Sequence, residues 1–202
     1  MQSAPTERTT PASSPPDLNT LAGAQRDMRS GYMDGGAGAL VSGLVWAVAA
    51  YVAAWISPER AVWALFVGGM FIHPLAVLLV KLLGRPGRHK DGNPLAPLAM
   101  ATTFWMIMML PLAYGVSQLR LELFFPAMML VIGGRYLCFH TLYGDRLYWI
   151  MGAVLAVAGY GLGAANAPAA WSAFAGGAIE IGFAGLLLAR ARGKTGLPGV
   201  AT

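Results

Sequence analysis

The sequence predicts an all-α protein: a six-helix transmembrane bundle with both termini cytoplasmic. Three observations lead there. Apolar residues make up 56% of the 202 residues and charged residues 11%, against roughly 25% charged in soluble domains. Six stretches follow Asp34, each near the roughly 20 residues that cross a bilayer's hydrocarbon core. Lys and Arg crowd the connections on one side and are almost missing from the other, which orients the bundle.

The same composition excludes a disordered or fibrous chain and argues against an ordinary soluble enzyme. A lone cysteine, Cys138, excludes an intramolecular disulfide and a cysteine-based zinc site. The first thirty residues contain no apolar run, so no cleavable signal peptide is expected. Residues 1–30 are expected to form a polar, disordered tail, with Pro5, Pro11, Pro15 and Pro16 among Ser and Thr. A helix from Asp17 through Met28, lying on the membrane surface with Arg26 and Arg29 near the head groups, is the alternative. Residues 31–192 form the membrane domain, and 193–202 a flexible C-terminal tail.

The expected spans are Gly36–Ile56, Ala61–Leu83, Leu95–Ser117, Leu123–Leu142, Leu147–Ala165 and Ala169–Arg190. Asp34 is expected to cap the first. Ser57-Pro58 and Asn93-Pro94 each place an N-cap residue before a proline at the first helical position, and open the second and third. Gly144-Asp145 supplies a helix-ending glycine and then a capping acid, which makes the fourth and fifth spans a tight hairpin. The fifth and sixth divide at Asn166-Ala167-Pro168, because one helix of both would far exceed a single crossing.

Six spans bring both termini to one side. That side holds Arg8, Arg26, Arg29, Lys81, Arg85, Arg88, Lys90, Arg146, Arg190, Arg192 and Lys194; the other holds Arg60 and Arg120. The imbalance places the termini in the cytoplasm. The net charge of +5 is therefore a topology signal and a means of meeting anionic lipid. Nucleic acid is not an expected partner, because these charges are spread over separate short segments.

Three residues break the apolar pattern near the bilayer midplane: His73, Arg135 and Glu180. They fall on alternate spans that run in the same direction, at depths agreeing within roughly 5 Å at 1.5 Å per residue. A charge there costs about 2.5–3.5 kcal/mol even on the mildest scale, so the three are expected to face inward and meet. Arg135 and Glu180 are the natural ion pair, with His73 joining as donor or acceptor. Ala173, Gly176, Gly177 and Ala184 share the face of Glu180 and let a neighbouring backbone approach. Gly68, Gly69, His73 and Pro74 suggest a weak point or kink in the second span. His140, nearer the cytoplasmic interface, reads as an interfacial residue.

Other motifs carry less. There is no phosphate-binding glycine loop, no His-Glu-x-x-His and no Gly-x-Ser-x-Gly elbow. Ser42-Gly43 has the wrong surroundings for an intramembrane protease. Two histidines at unlike depths do not make a haem site, and the methionines around Met106 and Met128 read as packing before metal transport. No cofactor and no metal site are expected. Gly152, Ala156, Gly159 and Gly163 form a helix-packing stripe, used either inside the bundle or between two copies of the chain.

Thr102-Thr103-Phe104-Trp105-Met106-Ile107-Met108-Met109-Leu110-Pro111-Leu112-Ala113-Tyr114-Gly115 forms one distinctive block. Phe71-Ile72-His73-Pro74-Leu75, Gly133-Gly134-Arg135-Tyr136 and Thr141-Leu142-Tyr143-Gly144 accompany it. With these the chain resembles a family of small, uncharacterised bacterial multi-pass integral-membrane proteins, a domain of unknown function, over roughly Tyr32 to Ala165. The resemblance implies a bacterial inner (plasma) membrane and brings no activity or catalytic residues.

The leading functional expectation is a buried site of His73, Arg135 and Glu180 that binds or transports a small solute or proton. The alternative is a non-catalytic membrane scaffold or interaction subunit whose buried ion pair is structural. An intramembrane enzyme is the least favoured class. The expected partners are the lipid bilayer, the solute or proton, and a second copy of the chain as a homodimer.

Overall fold

The computed structural model describes residues 16–193. Residues 1–15 of the expected N-terminal tail, and the C-terminal tail beyond Gly193, lie outside the described residues. The chain forms α1 (Leu21–Tyr32), a 3-10 turn (Met33–Gly35) and α2 (Gly36–Trp55). Then come α3 (Pro58–Leu82), α4 (Ala96–Leu119), a second 3-10 turn (Leu121–Leu123), α5 (Phe124–Tyr143), α6 (Leu147–Ala164) and α7 (Ala169–Gly193). Among the described residues there is no strand. The six long helices, α2 to α7, coincide with the six predicted spans.

Their surface identifies a membrane protein. Of the most apolar stretch of α3, and likewise of α4, only 11% is buried by the rest of the chain. Trp55, Met70, Leu82 and Leu119 are 74–82% exposed. Large side chains bared this widely would aggregate in water, and helices of this length put them against lipid.

Most of the predicted boundaries form, for the local reasons expected. The Ser57 hydroxyl accepts the Arg60 N–H at 3.1 Å, with Pro58 opening α3. Gly144 adopts φ 64°, the left-handed conformation that ends α5 at low cost. Asp145 then accepts the Leu147 N–H at 2.9 Å, one residue ahead of Arg146, which occupies the N-cap of α6 without a side-chain bond. The division at Asn166-Ala167-Pro168 falls between α6 and α7.

Three expectations need correction. The N-cap position of α2 belongs to Gly35, at φ 77°, and not to Asp34. Met33 and Asp34 are themselves left-handed, at φ 53° and 54°, a conformation costly for residues with a Cβ. Asn93 lies before α4 and reaches backward as well as forward. It accepts the Leu95 N–H at 2.9 Å and donates to Asp27 Oδ2 at 2.8 Å and to the Ala24 carbonyl at 3.1 Å. Pro74 lies inside α3, which continues as one helix to Leu82. Finally, Leu21–Tyr32 is helical, so the polar tail ends earlier than residue 30; a helix does form here, but it starts at Leu21 behind a Thr20 cap and not at Asp17.

Helix α1 is capped by Thr20, which accepts the Gly23 N–H at 3.1 Å. It is tied down on several sides at the end of the bundle that carries both termini. Asp27, 4% exposed, accepts from Asn93 and from the Lys90 N–H at 2.9 Å. Gln25 donates to the Thr141 carbonyl at 2.8 Å, Arg29 donates to the Tyr143 carbonyl, and the Tyr32 hydroxyl meets His89 Nδ1 at 3.1 Å. These bonds join α1 to the α3–α4 connection and to the end of α5.

The centre of the bundle is built from two close helix pairs, α2 with α7 and α5 with α6. A Cβ added to Gly177 would lie 3.1 Å from the Gly43 carbonyl oxygen, and one on Gly133 would lie 2.8 Å from that of Gly152. Gly159 likewise faces the Pro126 carbonyl. Both small-residue stripes read from the sequence, on α6 and α7, are therefore occupied within the chain. Helix α3 leans on α2, and α4 leans on α5. At the end away from the termini, Trp63 and Phe66 of α3 meet Tyr114 of α4, with ring centroids 6.1 and 6.3 Å apart.

Candidate functional site

The polar residues of the membrane interior divide between two sides of α5. Arg135 and Tyr136 are neighbours in sequence, so about 100° of helix separates their directions. Tyr136 turns toward α7 and Arg135 toward α4.

On the first side lies Glu180, fully buried at 0% exposure. The small-residue face predicted for it is present: Ala173, Gly176, Gly177 and Ala184 are buried with it. The Tyr136 hydroxyl donates to Glu180 Oε1 at 3.1 Å. Ser42 of α2, 6% exposed, adjoins both groups. The other carboxyl oxygen, Oε2, has no hydrogen-bond partner among the described residues. Two further buried donors along the α2–α7 contact share that condition, Trp46 Nε1 and Ser172 Oγ. The Trp46 ring lies over Gly176, where a Cβ would come within 2.6 Å of it. Counting along α7, Ser172, Gly176 and Glu180 are one turn apart, so these polar groups are strung along a single face.

From Tyr136 an aromatic column continues toward the terminal end. Its ring stacks on Tyr148 at 5.9 Å, and Tyr148 stacks on Tyr143 at 5.4 Å. The Tyr148 hydroxyl donates to the Asp34 carbonyl at 2.6 Å, which places it at the left-handed turn between α1 and α2. The Asp34 side chain, 3% exposed, lies 4.0 Å from Arg29 Nε.

On the second side of α5, the Arg135 guanidinium donates from Nη2 to Thr103 Oγ1 at 3.1 Å and from Nη1 to Met106 Sδ at 3.3 Å. The Thr103 hydroxyl is free to accept because its own proton goes back to the Ala99 carbonyl at 3.1 Å. The guanidinium carbon sits 5.1 Å from the centre of the Phe139 ring, a cation–π contact one turn along α5. Arg135 Nε is buried with no partner among the described residues.

The three residues expected to converge are therefore not brought together. His73 is exposed on α3. Depth along a helix says nothing about direction around it, and α3 packs chiefly against α2. Arg135 and Glu180 form no ion pair, since α5 stands between them and Tyr136 takes the place expected for the guanidinium. His140 packs against the Trp149 ring at 6.2 Å and belongs to neither site.

Sequence reasoning missed Ser42, Tyr136, Thr103, Trp46 and Ser172. Of these, only Tyr136 carried a usable signal: a hydroxyl beside Arg135 needs a buried partner just as the charge does. No group of three or more potential metal ligands occurs among the described residues.

Comparison with curated proteins and with solved structures finds no match. A family model does match, over residues 21–190. It begins at the first residue of α1 and extends past the predicted Tyr32 to Ala165 at both ends, taking in Glu180. The chain belongs to the DUF7010 family, a family of unknown function.

Proposed function

We propose that this protein binds or moves a small solute or proton across the plasma membrane of a bacterium, with both termini cytoplasmic. Glu180 is the proton-carrying group and Arg135 the solute-facing one. The bacterial membrane follows from the family resemblance, and the orientation from the Lys and Arg imbalance. His73, turned away from both groups, has no part in this reading.

One observation carries it. A guanidinium and a carboxyl group lie in the membrane interior, and neither pairs with an opposite charge among the described residues. A structural lock would join them, because a buried charge pair broken into two lone members is strongly unfavourable. Ionisable groups inside a membrane mark binding and proton-relay sites.

The test is proton flux in proteoliposomes carrying a trapped pH dye. Glu180→Gln keeps an oxygen to accept the Tyr136 hydroxyl, so the fold is expected to survive while flux is lost. Unchanged flux in a folded Glu180→Gln protein contradicts the proposal.

A scaffold reading draws on a different observation: the Tyr136–Glu180 bond ties α5 to α7 within a tightly packed core. It predicts that Tyr136→Phe lowers stability more than Glu180→Gln, which keeps the acceptor, and that no flux exists in the parent protein.

A further inference from the structure

The geometry points to Arg135 and Thr103 as the seat of an oxyanion, a carboxylate or phosphate group, held in the seam between α4 and α5. This deepens the solute-binding part of the reading above and rests on it.

Four observations converge on an anion. Arg135 carries five N–H donors in a planar fork that matches two oxygens of one oxyanion. Only two atoms of that fork are engaged, and by neutral acceptors, one of them a thioether sulfur, which accepts weakly. Arg135 Nε is buried with no partner among the described residues, and no acidic side chain among them pairs with the group. The residue is also partly exposed, whereas Glu180 is sealed.

Depth gives the second part of the argument. Thr103 lies seven residues into α4 from Ala96, and Arg135 lies eight residues before the end of α5 at Tyr143. At 1.5 Å per residue both are roughly 10–12 Å from the same end of the bundle. A long arginine side chain normally snorkels toward the nearer interface. This one is hydrogen-bonded to Thr103, at a like depth on α4, with its guanidinium carbon 5.1 Å from the centre of the Phe139 ring. A cation held at depth, with donors to spare, is arranged for an incoming negative group.

That group can belong to a small water-soluble anion or to the head of an anionic lipid entering sideways between α4 and α5. The experiment separates the two. The purified full-length protein, in a neutral detergent, is titrated with sodium phosphate and with sodium acetate against sodium chloride at matched ionic strength. A second arm compares phosphatidylglycerol with phosphatidylcholine in mixed micelles. Both arms read the thermal unfolding midpoint, which any ligand selective for the folded state raises.

The expected result is a rise in one arm that chloride or phosphatidylcholine does not give. Arg135→Gln should weaken the apparent affinity about 10- to 100-fold, as loss of a charged hydrogen-bonding partner does. Arg135→Lys, which keeps the charge without the fork, should fall between. A rise with phosphate or acetate identifies a small anion, and a rise with phosphatidylglycerol identifies a lipid head group. No rise in either arm, or an equal rise in Arg135→Gln, overturns the inference. Should Arg135→Gln not fold, Thr103→Val carries the test, and unchanged affinity in that variant overturns it. Oxyanion binding that survives while Glu180-dependent flux is absent breaks the proton-carrying reading alone. The opposite outcome breaks only this one.

Discussion

The inner helices and the outer helices of this bundle bury their residues by different rules. Helices α2, α7, α5 and α6 approach so closely that glycines face backbone carbonyls across both contacts. Helices α3 and α4 bury only a narrow stripe and leave most of their apolar surface bare. Lipid tails are as apolar as leucine, so apolarity alone does not pull membrane helices together. What distinguishes the inner four is fit: small residues, a buried tryptophan, and hydrogen bonds that have no substitute in lipid. The outer two are held by fewer such devices, and it is beside one of them, α4, that Arg135 keeps its unused donors.

Substitutions should break that contrast in a definite order. The largest loss is expected at Gly177. A leucine there has to displace the backbone of α2 at Gly43 and Ala47, and the expected outcome is no folded protein on size-exclusion chromatography. Trp46→Ala comes next. The side chain is 1% exposed and fills the α2–α7 contact, so about 3–5 kcal/mol of stability should be lost, read as a lower thermal unfolding midpoint.

Smaller effects follow. Asp27→Ala removes the acceptor for Asn93 and Lys90 and should cost about 1–3 kcal/mol. The loss is expected locally, as faster trypsin cleavage at Arg26 and Arg29 with the six spans intact. Tyr136→Phe removes one interhelical hydrogen bond and should cost about 0.6–1.7 kcal/mol. Met108→Leu, on the bare face of α4 at 68% exposure, should stay within about 0.5 kcal/mol. A loss at Met108 as large as that at Trp46 would show that the outer helices are packed against protein and not lipid.

Much of this was legible in the sequence, and the remainder was hidden for physical reasons. The number of spans, the Ser57 cap, the Gly144-Asp145 hairpin and the break before Ala169 all follow from local chemistry, which sequence displays directly. Glu180 was placed correctly because small residues share its face at helical spacing. The meeting of His73, Arg135 and Glu180 was inferred from depth, and depth leaves the direction around a helix open. Helices that are apolar on every side give no polar stripe to supply it. The docking of α1 was equally invisible, since Asp27 and Asn93 are bonded across 66 residues of chain. Asn93 reads as a simple cap because one of its three side-chain bonds, to Leu95, is of that kind.

The central claim is that the guanidinium and the carboxyl group occupy separate sites on two sides of α5. A double-mutant cycle with Arg135→Met and Glu180→Gln, reading unfolding free energy in one detergent, tests it most directly. Separate sites predict that the two losses add, with a coupling within about 0.5 kcal/mol of zero. Rescue of either single variant by the other, with a coupling on the order of 3 kcal/mol, is what a joined buried pair gives and would contradict the account.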